Sequence, residues 1–251
     1  MIRPIPVSIA IATFNGEKYI RQQIDSILPQ LDHPSDEVVI YDDASTDATL
    51  QIICEYNSPL IRLYRHPVNQ GQIITFEHAI QSCNNSLIFL SDQDDIWLPH
   101  KVMSYYLAYA YYPEALLFYS DHPAFDDSGR IVYNSTLDYN FPFKKFIPIL
   151  NTRVHGPGIA FTSRAKSLLL PFPPKISSHD QWIALLPISG PCIFLPFICQ
   201  KYRLHPQQVC SLGRHRRRPL LSALLSRLYM CTSIISRRFM RCSLFIATNE
   251  S

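Results

Sequence analysis

Three times in the first ninety-five residues, a short β-branched or apolar run ends abruptly in polar or acidic residues. Val7 to Ala12 leads into Thr13-Phe14-Asn15-Gly16, Glu37 to Tyr41 stops at Asp42-Asp43, and Ser86 to Leu90 stops at Ser91-Asp92-Gln93-Asp94-Asp95. Helical spacing fills the gaps: Ile20, Ile24, Ile27, Leu28 and Leu31 after the first run, a segment capped by Ser45 to Asp47 after the second, and Phe76 to Ser82 before the third. Leu60 to Tyr64 reads as one more short strand. Strands alternating with helices require crossover connections, and these give a mostly parallel sheet covered on both faces. Ligands of such sheets bind beyond the carboxyl ends of the strands, so the three polar strand ends are expected on one rim.

The remainder of the chain is less regular. Leu116 to Tyr119 and Ile131 to Tyr133 read as strands, Gly156 to Phe161 as a turn and strand, Ser178 to Leu186 as a capped helix, and Cys192 to Tyr202 as one final strand. A domain boundary is set near Gly213, giving an α/β domain over 1–213 and a tail over 214–251. Apolar residues at 47% and charged residues at 17% exclude a disordered chain. Seven cysteines with no C-x-x-C pair read as reduced core residues rather than a disulfide framework or zinc site. The N-terminus lacks the long apolar stretch of a cleavable signal, so a cytoplasmic location is expected.

Asp92-Gln93-Asp94-Asp95 is the strongest chemical signal. Carboxylates two apart on an extended segment can face one side, and three within four residues repel unless a cation or hydrogen bonds offset them. Oxygen donors of this kind suit Mg²⁺ or Mn²⁺, which take one or two carboxylates together with substrate phosphates. The same four residues also describe a solvated turn.

Four runs in order resemble the inverting glycosyltransferases of family 2, with the GT-A fold, and within them the rhamnosyltransferase-like bacterial group. They are Ser8 to Ile20, Tyr41 to Asp47, Phe89 to Pro99, and His179-Asp180-Gln181-Trp182, within a resemblance covering residues 5 to 210. It implies a Rossmann-like, mostly parallel sheet and a nucleotide-diphosphate sugar donor, with dTDP-rhamnose first and UDP-hexoses second. The acceptor it implies is a glycan or lipid-linked glycan. Thr13, Asn15 and Asp43 would then contact the nucleotide, Asp92 the ribose or sugar, and Asp94 the metal, while Asp180 would be the general base. Arg203 and His205 match a lid over the diphosphate. For Asp180 the plainer alternative is a helix cap, for Asn15 a turn former, for Asp43 and Asp47 helix caps, and for Arg203 an ordinary strand-end arginine. A noncatalytic nucleotide-sugar binder and a two-carboxylate glycoside hydrolase are the rival functions.

The tail carries eight Arg and one Glu from Arg214 onward, which leaves the first 213 residues net negative in a chain of net charge +3. Leu220, Leu224, Leu228, Cys231, Ile235 and Phe239 recur as on one helical stripe. Arg227, Arg237, Arg238 and Arg241 interrupt it, so a bilayer span is excluded and a peripheral helix against anionic lipid is expected, the rival being packing against the domain. In the peripheral case, removing 214–251 would release the protein from membranes and spare transfer. A basic tail on an acidic domain, with Arg214 to Arg218 at its start, is weak ground for nucleic-acid binding, and no nucleic-acid partner is expected.

Overall fold

The computed structural model describes residues 3–135, 156–206 and 220–248. Its main sheet has seven strands in the order β10-β6-β9-β4-β1-β2-β3. These are β1 Val7–Thr13, β2 Glu37–Asp42, β3 Ile61–Arg65, β4 Leu87–Ser91, β6 Leu117–Ser120, β9 Ile159–Thr162 and β10 Cys192–Leu195. β1 to β4 run parallel, as does the β10–β6 pair, while β9 lies antiparallel between β4 and β6. A smaller sheet orders β5 Ile96–Trp97, β11 Gln200–Leu204, β7 Ala124–Asp126 and β8 Ile131–Tyr133.

β1 is apolar along its length because both its faces are covered. Val7, Ile9 and Ile11 pack with Ile20, Ile24 and Ile27 of α1 Ile20–Ile27 and with Val102 and Tyr105 of α4 Lys101–Tyr111. Ala10 faces the other side, where Phe76 and Ile80 of α3 Gln72–Ser82 meet Leu168 and Leu169 of α5 Ser163–Leu169 and Trp182 of α6 His179–Ile183. The remaining helices are α2 Thr49–Glu55 and α7 Leu220–Thr248. The described cysteines are unpaired, and Cys83, Cys199 and Cys231 are buried.

The expected single strand from Cys192 to Tyr202 is two strands in different sheets. Pro196 lacks the N–H that would continue β10, and exposed Phe197 and Ile198 turn the chain toward β11. This switch carries Arg203 and His205 away from the sheet edge and over the acidic rim.

The boundary expected near Gly213 lies outside the described residues. Beyond it, α7 is fused to the domain's own core: Met230, Cys231 and Ile234 are buried in the cluster that holds Trp182 and Ile183. Arg237 donates to the carbonyls of Leu168, Leu169 and Pro171 at the end of α5 and lies 5.2 Å over the Trp182 ring. Most of the sequence stripe, Leu224, Leu228, Ile235 and Phe239, faces outward instead. A helix of this length presents two apolar strips, and periodicity alone does not say which one the domain covers.

Candidate active site

The ends of β1, β2 and β4 meet in register, Thr13 beside Asp42 and Ile11 beside Ser91, so the three polar loops share one rim. Thr13 donates its hydroxyl to Gln93 Oε1 at 2.7 Å, and the Gln93 amide closes a two-way clasp with the Phe14 backbone at 2.9 and 3.1 Å. Gly16 is required by that clasp, because a Cβ there would sit 2.4 Å from Gln93 Oε1. Asn15, with a left-handed φ of 47°, joins the β1 and β2 loops by donating N–H to Ser45 and accepting the Thr46 N–H. Asp47 accepts the Thr49 N–H at the start of α2.

Asp43 organises the far end of this rim. Its buried carboxylate accepts the N–H groups of Gln70 and Gly71 at 2.7 and 2.8 Å and pairs with His66 at 3.0 Å. Burial alone would raise its pKa, but these hydrogen bonds, with that of Thr75, hold it below the ordinary carboxylate range. His66 passes the contact on to His78 at 2.8 Å.

The acidic loop is where charge accumulates. Asp92 is pushed well above the ordinary carboxylate range by burial and then by the carboxylates of Asp95, Asp94 and Asp180, with His179 pulling the other way. Asp95 is raised in the same direction by burial and by Asp94. Asp94 Oδ2 lies 2.8 Å from His205 Nε2. The two are hydrogen-bonded to each other, and this carboxylate and imidazole are donors that could share a divalent ion such as Mn²⁺ in place of that bond. Among the described residues no group of three or more His, Cys, Asp or Glu forms a closed protein site, so an ion held here would complete its shell from phosphate and water.

Arg203 is engaged by the protein itself. Its guanidinium is buried between the rings of Tyr19 and Phe125, at 4.8 and 4.5 Å, and donates to the Asp94 carbonyl at 2.7 Å and to Gln22 at 2.6 Å. Its backbone N–H goes to Asp95. Held this way the side chain braces the acidic loop through Nε and Nη2, while Nη1 lies 3.8 Å from Asp127 Oδ1. Trp97 packs beneath the loop, its ring 5.5 Å from Phe89.

The Asp180 carboxylate lies near enough to Asp92 to add to the upward shift there. The cap of α6 is Ser178, whose hydroxyl accepts the Gln181 N–H, so Asp180 is free of the capping role. It pairs instead with His179 at 2.9 Å. His179 is buried and stacked on Phe76 at 4.0 Å, and although burial lowers its pKa, Asp180 and Asp92 raise it overall. Gly156 leaves room for this dyad: a Cβ there would lie 3.2 Å from His179 Nε2 and 3.9 Å from Asp180 Cγ.

Sequence reasoning missed the structural parts of His179, Gln93 and Lys101. Gln93 stood between carboxylates that drew attention from it, and Lys101 opens a helix where nothing marks a lysine as buried.

A mostly parallel sheet with acidic strand ends on one rim is the frame on which folds of this α/β class bind ligands. Residues 8–168 match the glycosyl transferase family 2 profile, and the chain belongs to that family. Over 212 residues it is 25% identical to the Escherichia coli UDP-Glc:alpha-D-GlcNAc-diphosphoundecaprenol beta-1,3-glucosyltransferase WfgD, covering 82% of this chain and 79% of that protein. An uncharacterized Mycobacterium tuberculosis protein is 31% identical over 141 residues, 54% of this chain, and the chain spans 39% of its length. Among solved structures, S. aureus TarS in complex with UDP-GlcNAc superposes with a TM-score of 0.64 at 19% identity, over 94% of this chain and 73% of that one. The Pyrobaculum calidifontis mannosyltransferase PcManGT with GDP-Man and Mn2+ superposes at 0.61 and 15% identity, over 98% and 79%. These structural likenesses establish the GT-A fold.

Proposed function

We propose that this protein transfers one sugar, with inversion, from a nucleotide diphosphate to a hydroxyl of a glycan or lipid-linked glycan. The observation that carries this reading is the gathering of the Asp92–Asp95 loop and His205 on a rim built by parallel strand ends, with the Asp180 carboxylate near enough to act on Asp92. Asp94 and His205 would hold a divalent ion, which when bound supplies positive charge to the leaving diphosphate. Thr13, Asn15 and Asp43 lie on the nucleotide side, where the first two shape the loops and Asp43 sets the 66–71 segment. Asp92 faces the sugar. Asp180 accepts the proton of the acceptor hydroxyl as its oxygen attacks the anomeric carbon, and the His179 ring orients that carboxylate. Arg203 acts by fixing the Asp94 carbonyl rather than by touching phosphate.

For the donor, the relatives' names favour a UDP-hexose, while the rhamnosyltransferase-like runs favour dTDP-rhamnose. A panel of UDP-, dTDP- and GDP-sugars, scored by nucleotide release with Mn²⁺ and with EDTA, decides among them. Release of nucleotide coupled to an acceptor product of opposite anomeric configuration supports the reading. Hydrolysis in EDTA without nucleotide would replace it with a glycosidase, and donor binding without transfer to any acceptor would replace it with a binding protein.

The outward face of α7 supports a peripheral contact on the cytoplasmic face of the inner membrane. Leu224, Leu225, Leu228, Ile235 and Phe239 are exposed there beside Arg238, and among the described residues no helix is long and apolar enough to cross a membrane. Sedimentation with anionic liposomes tests this contact. Leu228→Glu with Phe239→Glu should abolish it, and a wild-type protein that stays in the supernatant at low salt would refute it.

A further inference from the structure

Lys101 is wholly buried at the first position of α4, directly behind the acidic loop. A cation there is unfavourable by burial and by the positive end of the helix dipole. Among the described residues no carboxylate lies within ion-pairing distance of it. What holds it instead comes from three separate parts of the site. Its ammonium donates to the Pro157 carbonyl at 2.8 Å and to the Gln200 side-chain carbonyl, and it sits 4.0 Å over the Trp97 ring. Pro157 follows Gly156, which abuts the His179–Asp180 pair; Gln200 opens β11, which carries Arg203 and leads into His205; and Trp97 ends β5, which follows the acidic loop. Burial lowers Lys101 to about 7, while Cys199, Asp95 and Asp92 pull it upward.

Because this arrangement costs local stability and joins three separate segments of the site, packing alone does not account for it. We propose that Lys101 is a positioning residue whose buried ammonium locks β11, the 156–158 turn and the acidic loop together, so that His205 meets Asp94. The proposal rests on the glycosyltransferase reading above for the ligand used in its test. It does not require Lys101 to touch donor or acceptor.

A double-mutant cycle on nucleotide affinity tests it. Lys101→Met, Gln200→Met and the double variant are titrated with UDP, dTDP and GDP, in Mn²⁺ and in EDTA, with thermal unfolding to count the folded fraction. The expected result is that Lys101→Met weakens nucleotide binding in Mn²⁺ about tenfold per folded molecule, leaves binding in EDTA within twofold, and is not worsened by adding Gln200→Met. Wild-type affinity in the folded fraction of Lys101→Met, or fully additive losses in the double variant, would overturn the positioning role. If wild type binds nucleotide equally in both conditions, the metal assignment fails. The Lys101–Gln200 coupling in the cycle then still decides whether Lys101 positions the site. If wild type binds none of the three nucleotides, the glycosyltransferase reading fails and the proposal falls with it.

Discussion

His205 Nε2 stands 2.8 Å from Asp94 Oδ2 across 111 residues of chain. Two sheets have to be assembled for that contact to exist: Asp94 follows a strand of the main sheet, and His205 follows β11 of the small one. If the pair binds a metal, each half should be separately necessary. Asp94→Ala and His205→Ala are each expected to lower transfer at least about a hundredfold. Circular dichroism should report unchanged folding, since both residues lie at the rim. Retained Mn²⁺ stimulation in either variant would remove that residue from the site.

Asp180 has no capping duty to confuse its test, because Ser178 performs it. Asp180→Asn keeps the shape and removes the proton acceptor. Turnover should fall by about 10²–10⁴-fold, the range of general-base contributions, with donor affinity within a few-fold of wild type. Transfer within a few-fold of wild type would exclude Asp180 as base.

The His179–Asp180 pair gives folding stability a pH signature of definite sign. His179 is raised above its ordinary value of 6.5, so the folded state binds that proton more tightly than the unfolded chain. Its contribution is therefore fully present below about 6.5 and is lost as pH rises through the raised folded value. His179→Gln should lower the melting temperature most near pH 6 and least near pH 9. A difference that grows with pH would show that the imidazole is held neutral.

The tail is expected to behave as part of the domain. Ile234 is fully buried against the Trp182 cluster, and Ile234→Ala should cost about 2–4 kcal/mol by denaturant unfolding. Deleting 220–248 would strip the cover from Trp182 and Leu169, so poor folding is expected rather than the release of an intact soluble enzyme. A truncated protein with wild-type melting temperature and transfer rate would show α7 to be dispensable.

Much of the architecture was legible in the residues themselves. The run from Val7 to Ala12 is apolar at every position but Ser8, which signals a strand buried on both faces, and the acidic residues after Tyr41 and Ser91 had to share a rim because parallel strands end on one side. The family resemblance pointed to Asp94, Asp180 and His205, and the structure puts the first and last of these in contact. Tertiary structure decided the rest, for reasons local pattern cannot encode. Arg203 braces the acidic loop because Tyr19, Phe125 and Gln22, remote in sequence, close around it. The chain from Cys192 to Tyr202 splits between sheets because both halves read as strand, and only pairing partners distinguish them. Either apolar strip of α7 could have faced the domain, and contact with α5 and α6 selected the one bearing Met230, Ile234 and Arg237. Burial is a property of what arrives from elsewhere in the chain, so Lys101 resembles a surface lysine in sequence and is a core cation only once β11 and the 156–158 turn enclose it.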